Sequence, residues 1–131
     1  MNSKKNLRSY TYAYDGASRL KSAIYAGVGG ENFSLPTINY DKNGNITTLQ
    51  RKGKNGSNFG DIDNLSYAYN GNRLQYVADA VSGNEDVGDF RAGGGSNNDY
   101  TYWPDGSLKS DANKGISLIE YDIINDKNTY L

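Results

Sequence analysis

One short phrase recurs along the chain and constrains its fold more than any other feature of the sequence. In each occurrence a Tyr is followed by a polar, Gly-containing turn, and an aliphatic residue comes five or six places after the Tyr. The phrases begin at Tyr14, Tyr40, Tyr69 and Tyr102, and a partial fifth copy begins at Tyr121. A sequence repeat of this kind indicates one supersecondary unit that is used several times, so we expect a repeat architecture.

The residues around each turn are typical of a β-hairpin. Tyrosines alternate with other residues ahead of the turn, as at Tyr10, Tyr12 and Tyr14, and a period of two places them on one face of a strand. The Asp or Asn that follows the Tyr can bond to the backbone of the turn, and Gly supplies a positive φ, so the chain reverses direction. We therefore predict hairpins whose onward strands span residues 20–25, 46–51 and 74–77.

The positions that define the repeat are its candidate structural sites. Gly44 and Gly106 should take a positive φ, because each follows a polar turn residue just before the strand returns. Three copies depart from the pattern. Ser18 stands in the usual Gly place of the first, and Trp103 stands where the fourth should have Asp. Asn70 replaces Asp in the third, which also has one residue fewer between Tyr and Leu. We expect substantial burial or cross-strand stacking of six rings, those of Tyr12, Tyr14, Tyr40, Tyr67, Tyr69 and Tyr102. The sites are Tyr14, Asp15 and Leu20; Tyr40, Asp41, Gly44 and Ile46; Tyr69, Asn70, Gly71 and Leu74; and Tyr102, Gly106 and Leu108.

Composition excludes several classes of function. The 131 residues include no His and no Cys, which removes Ser-His-Asp and Cys-His catalysis and thiolate zinc sites. Fourteen basic residues nearly cancel 15 acidic ones, and this balance argues against a nucleic-acid binder. No apolar run approaches the ~18 residues of a membrane span. We expect no enzyme activity, no cofactor and no metal.

The segments between the phrases are predicted to be polar connecting loops. Residues 27–34, 52–63 and 82–98 are rich in Gly and polar side chains, which is typical of loops. The turn from Asp41 to Asn45 also resembles the start of an EF-hand calcium loop. Ile46 stands where that loop needs Gly, and Lys52 stands where it needs a bidentate Glu, so we favour a hairpin turn.

The aromatic rows allow a second interpretation. Exposed Tyr and Trp side chains on a sheet can stack on sugar rings, since they are amphipathic. The same tyrosines recur where strand packing alone would place them, and we favour packing. A carbohydrate-binding surface module remains the alternative function.

The phrases resemble the repeats of the Rhs/YD-repeat family, named for its Tyr-Asp dipeptide, in the form found in large Bacteroidetes proteins. Three stretches carry the resemblance, namely residues 40–46, 67–74 and 99–116. It implies a β-strip that in full-length members spirals into a hollow shell around a toxin or other C-terminal domain, while other members are elongated surface proteins. The Asp-Pro motifs and catalytic aspartates of the shell proteins that release their cargo are not found in this sequence.

We therefore predict an all-β fold, an antiparallel meander of hairpins that forms a curved, twisted sheet. Residues 1–131 are expected to be a single repeat segment, with phrases at 10–25, 38–51, 65–77 and 99–110 and a partial copy at 117–131. The expected function is non-catalytic and structural, within a shell or cell-surface scaffold. The expected partners are the remainder of a longer repeat chain, or another copy through sheet edges, and the expected location is extracellular or in the cell envelope, as part of a longer exported protein.

Overall fold

Antiparallel strands joined by tight turns make up the part of the chain that the computed structural model describes, residues 7–81 and 98–122. Within those residues no helix is present, and the predicted all-β class is confirmed. The strands are β1 (Ser9–Tyr14), β2 (Leu20–Ala26), β3 (Thr37–Tyr40), β4 (Ile46–Asn55), β5 (Asn58–Asn70), β6 (Arg73–Asp79), β7 (Tyr100–Tyr102) and β8 (Leu108–Asp111).

Strands that are consecutive in the chain are also neighbours in space, so the topology is a meander. β1 pairs with β2, β3 to β6 form a four-stranded sheet in chain order, and β7 pairs with β8. Short contacts link these three sheets. Ala23 and Leu35 exchange two backbone hydrogen bonds of 2.9 and 2.8 Å between the first and second sheets, and the Asp99 N–H donates to the Gln75 carbonyl at 2.8 Å between the second and third.

The four turns that follow the repeat tyrosines share one register. Each phrase Tyr pairs with the aliphatic residue of its own phrase, and a register shift lies immediately before the Tyr in every copy. In each hairpin the extra residue lies on the returning strand, directly after the aliphatic residue, and a β-bulge of this kind bends the strand and increases its local twist. The repeated phrase in the sequence therefore corresponds to a repeated backbone conformation. The pairs are Tyr14 with Leu20, Tyr40 with Ile46, Tyr69 with Leu74, and Tyr102 with Leu108.

Left-handed backbone occurs where the turn chemistry predicts it. Gly44 has a φ of 86° and Gly106 a φ of 92°, and the prediction for both is confirmed. Ser18 has a φ of 63° and is the one non-Gly residue with positive φ in the described ranges. A side chain in this region clashes with the carbonyl oxygen that follows it, so the first turn is more strained than its Gly-containing counterparts.

The prediction of a polar connecting loop at residues 52–63 is wrong. β4 and β5 continue through it as one long hairpin, in which Lys52 pairs with Asp61 and the strands meet at Asn55 and Asn58. Lys52 Nζ lies 2.7 Å from Asp61 Oδ1, and the opposite charges across the pair stabilise a polar sheet extension. The Asn55-Gly56 dipeptide at the tip is a strong hairpin signal, and Gly56 has a φ of 67°.

The apolar core is small and follows the sheet. Its buried members are Ala23, Ile38, Ile62, Leu65 and Val77. Half-buried tyrosines supply the rest of the apolar contact, which fits the tyrosine-rich composition.

The burial expected for Tyr12 and Tyr14 is wrong. Tyr12 is 54% exposed and Tyr14 is 60% exposed, whereas Tyr40, Tyr67, Tyr69 and Tyr102 are half-buried. Both exposed rings belong to β1, which pairs on one side alone with β2 in the described part of the chain. The later rings have a preceding copy to pack against, and the rings of β1 do not.

Candidate functional site: a tyrosine ladder and two surface features

Each phrase tyrosine from the second copy onward donates a hydrogen bond to the copy before it. The acceptor is in every case the backbone carbonyl of the aliphatic residue in the preceding phrase. This tyrosine ladder, as we name it, comprises Tyr40 to Leu20 at 2.8 Å, Tyr69 to Ile46 at 2.8 Å, Tyr102 to Leu74 at 2.7 Å and Tyr121 to Leu108 at 3.0 Å. The same aliphatic residues pair with the tyrosines of their own hairpins, so each one connects two successive copies.

Backbone pairing repeats across the copies in the same way. The third residue after the phrase aliphatic pairs with a residue four or five places ahead of the next phrase tyrosine. This relation holds for Ala23 with Leu35, for Leu49 with Leu65, and for Asp111 with Ile116. Ile116 and Tyr121 thus make the same contacts as their counterparts in earlier copies, and the rest of the predicted partial copy, residues 123–131, lies outside the described residues.

Three of the ladder tyrosines, Tyr40, Tyr69 and Tyr102, are half-buried. Burial raises the pKa of Tyr69, and the nearby charge of Asp41 adds to the effect. Burial likewise raises the pKa of Tyr102. Desolvation disfavours the phenolate in both cases, so each hydroxyl keeps the proton that it donates to the preceding copy.

A cation covers the ladder ring in two copies. The Arg19 guanidinium carbon lies 4.5 Å from the centre of the Tyr40 ring, and that of Arg73 lies 5.7 Å from the centre of the Tyr102 ring. Both arginines stand immediately before a phrase aliphatic. Such cation–π contacts add to the hydrogen bond that joins the same two copies.

The carboxylates of the first two turns are occupied by the turns themselves. Asp15 and Asp41 each accept backbone N–H bonds from residues two and four places further on, at 2.8 to 3.0 Å. These donors lower the pKa of both carboxyls. In the described ranges no three acidic, His or Cys side chains lie close enough together to hold a metal ion.

A row of five aromatic rings forms the first surface feature, and we name it the aromatic row. Tyr12, Tyr10, Tyr25, Phe33 and Phe59 follow one another with ring centres 5.3 to 5.9 Å apart. Tyr10 and Tyr12 lie nearly parallel at 19°, and the other three contacts are edge-to-face. Tyr10 is 41% exposed and Phe33 39%, so apolar ring surface faces the solvent.

A charged pair borders the aromatic row. Both oxygens of Glu31 accept hydrogen bonds from Arg8 at 2.9 Å, and Glu31 Oε2 also accepts the Tyr25 hydroxyl at 2.7 Å. These donors, Arg8 first, lower the pKa of Glu31 to about 2. The row therefore combines exposed rings with fixed polar groups.

A cleft beside the fourth turn forms the second surface feature, and we name it the Trp103 cleft. It has a volume of about 560 Å³ and is lined by Trp103, Pro104, Asp105, Ser107, Glu120 and Tyr121. The indole N–H of Trp103 donates to the Ile119 carbonyl at 2.8 Å, and the Lys109 ammonium lies 4.6 Å from the centre of the Trp103 ring system.

The structure brings the sequence-predicted sites together in pairs rather than in one pocket. Within each copy the Tyr and the aliphatic residue pair across the hairpin, and between copies they meet again through the ladder. Asn70 pairs with Arg73 at the third turn, and Gly71 has a φ of 64° between them. Sequence reasoning missed the arginines over the ladder rings, and their fixed place before the phrase aliphatic was the available signal.

Comparison with known proteins adds no relative to this description. No protein-family model, no curated protein and no solved structure matches the chain. Within residues 7–81 and 98–122 the structure contains no helix of the length and apolarity that a membrane crossing requires.

Proposed function

We propose that the chain is a non-catalytic structural repeat segment of a shell or cell-surface scaffold of the Rhs/YD-repeat type. The tyrosine ladder is the observation that carries this proposal. One bond type at 2.7 to 3.0 Å joins each described copy to its predecessor, which is the nearest-neighbour stabilisation of a repeat array. The family name rests on the resemblance of the phrases, including Tyr40 to Ile46, to YD repeats.

The outer edge of β1 supports an assembly role. β1 pairs with β2 on one side, and no described strand pairs with its other side. Among the described residues no carbonyl accepts the Tyr14 hydroxyl, although Tyr14 is the ladder residue of the first copy. An open strand edge offers unpaired N–H and C=O groups, and a preceding repeat or another copy of the chain would bind there.

Analytical ultracentrifugation over a concentration series tests this role. We expect the chain to associate as its concentration rises, and Ala13→Lys on β1 should weaken the association because a charge disfavours edge pairing. Ala26→Lys is the matched control. Ala26 is exposed on the paired strand β2, on the same face as Ala13, so the added charge is equal but does not lie on the edge strand.

Two outcomes contradict the proposal. A strict monomer at every concentration means that the segment is self-contained. Equal weakening by both lysine variants means that general charge repulsion, rather than the β1 edge, governs association.

The aromatic row supports a second candidate function, carbohydrate binding. Tyr10 and Tyr12 present neighbouring, nearly parallel rings to solvent beside the Glu31–Arg8 pair. Planar rings beside bonded polar groups suit the apolar faces and hydroxyls of sugars. A glycan array with wild-type chain and Tyr12→Ala tests this candidate, and a lack of any bound glycan refutes it.

The proposed setting follows from the structural role. As part of a longer exported protein, the segment would lie outside the cell or in its envelope. Its partners would be neighbouring repeats through sheet edges, with carbohydrate as the alternative ligand. The near balance of acidic and basic residues gives no support to nucleic acid as a partner.

A further inference from the structure

The Trp103 cleft lies where the repeat departs from its own pattern. In the first copy Asp15 and Arg19 form an ion pair of 2.8 Å, and Arg19 covers the ring of Tyr40 in the next copy. Counting from the phrase tyrosine, Trp103 occupies the place of Asp15 and Ser107 the place of Arg19. The fourth copy has neither member of this pair, and a cleft of about 560 Å³ lies there.

The ladder ring that this cleft exposes has no cation over it. Arginines cover Tyr40 and Tyr102, whereas in the described part of the chain no Arg or Lys lies over the other two ladder rings, Tyr69 and Tyr121. The short Ser107 side chain cannot reach the ring, because its hydroxyl bonds back to Asp105 Oδ1 at 2.6 Å. Tyr121 is accordingly 54% exposed.

The chemistry of the lining suits a cation. Trp103 and Tyr121 supply aromatic rings, and the carboxylates of Asp105 and Glu120 lie at the same cleft. Lys109 lies over Trp103, so this ring system is already engaged in a cation–π contact. Hydrogen bonds from Ser107 are the main cause of the lowered pKa of Asp105, and the charge of Arg73 adds to it. In the described part of the chain no Lys or Arg forms an ion pair with Glu120.

We propose that the Trp103 cleft binds the guanidinium group of an arginine side chain presented by another polypeptide. The bound group would lie over the Tyr121 ring, as Arg19 lies over Tyr40 and Arg73 over Tyr102. The volume of the cleft falls within the roughly 300–1,000 Å³ of small-molecule sites, so a side chain fits with space for water. The proposal does not depend on the shell or scaffold role, because it rests on an internal comparison of copies.

Trp103 provides the reporter for the test, since it is the one Trp in the sequence and gives a single indole N–H signal. The ¹⁵N-labelled chain is titrated with N-acetyl-arginine methylamide at constant ionic strength, and a saturable shift of the indole signal is expected. N-acetyl-citrulline methylamide has nearly the same shape but no charge. It should bind at least about fivefold more weakly, because the cation–π attraction is lost.

Two arginine substitutions locate the binding. Ser107→Arg restores in the fourth copy the side chain that the first copy has, and it should abolish the shift by filling the cleft from within the chain. Asn45→Arg makes the same change at the equivalent place of the second copy, and it should leave the titration unchanged. Glu120→Gln alters an exposed residue and should weaken binding without affecting the fold, so it provides a second reading if Ser107→Arg does not fold.

The proposal is overturned by any of three results. The first is an equal affinity for the arginine and citrulline probes. The second is wild-type binding by a folded Ser107→Arg variant, or by Glu120→Gln if Ser107→Arg does not fold. The third is the absence of a saturable indole shift with the arginine probe, and a shift with cellohexaose in its place would assign the cleft to neutral sugars.

Discussion

Removal of one ladder hydroxyl measures how much a hydrogen bond between successive copies contributes to the free energy of unfolding. Tyr69 donates to the Ile46 carbonyl at 2.8 Å, and Tyr69→Phe deletes the donor while it keeps the ring. A hydrogen bond of this kind contributes about 0.5–1.5 kcal/mol net to the free energy of unfolding. Ile46 is half-buried, so water can reach its carbonyl in the variant and the full desolvation penalty is avoided. We expect a loss of about 1 kcal/mol.

Urea and thermal unfolding followed by circular dichroism test this value. For a chain of this length, a loss of about 1 kcal/mol lowers Tm by roughly 3–4 °C. Tyr14→Phe is the matched control, because in the described residues the Tyr14 hydroxyl has no carbonyl partner and the ring is 60% exposed. The control should stay within about 0.3 kcal/mol of wild type, as surface changes usually do. Equal effects of the two substitutions would refute the ladder as a source of stability.

Three further predictions concern the turns and the tyrosines. Ser18→Gly should raise the free energy of unfolding by about 0.5–1 kcal/mol in a urea titration, because Gly relieves the left-handed strain at φ 63°. Gly44→Val should lower it by about 1–2 kcal/mol, since φ is 86° there, and an unchanged Tm would contradict the turn assignment. Folding raises the pKa of Tyr69 and Tyr102, so their contribution is complete below the unfolded pKa of about 10 and is lost as pH rises through the folded pKa. Urea titrations from pH 8 to pH 11 should show this loss, with a smaller slope in Tyr69→Phe.

The turns were predictable because their chemistry is local. Asp41 and Gly44 lie within one phrase, and the side-chain bond and the positive φ that they provide depend on nearest neighbours. The strand ends at Leu20 and Ile46 were predicted for the same reason. The exposure of Tyr14 was not, because period two shows which face a ring lies on but not whether another strand covers that face.

Contacts between residues that are distant in the chain were harder to predict from the sequence. The sequence predicts a loop at residues 52–63 because the stretch holds three glycines and few apolar residues, although Asn55-Gly56 indicates the hairpin that the structure has. The ladder bonds join residues 13 to 28 apart, and a hydroxyl that donates to a carbonyl leaves no periodic pattern. The Trp103 cleft exists because Ser107 is too short to cover the Tyr121 ring as Arg19 covers the Tyr40 ring. This difference is recognised when the copies are compared in the structure.

The register shift shared by the hairpins that follow Tyr14, Tyr40, Tyr69 and Tyr102 has a consequence for how the chain tolerates insertions. The phrase tyrosines from Tyr14 to Tyr102 are 26, 29 and 33 residues apart, yet the same register shift recurs at each of their hairpins. The bond to the preceding carbonyl is also the same from Tyr40 onward. The contacts between successive copies are therefore set by the register shift and by the tyrosine hydrogen bond. They do not depend on the number of residues between the phrases. A whole foreign domain inserted at the Gly56-Ser57 tip would therefore leave the contacts between successive copies unchanged.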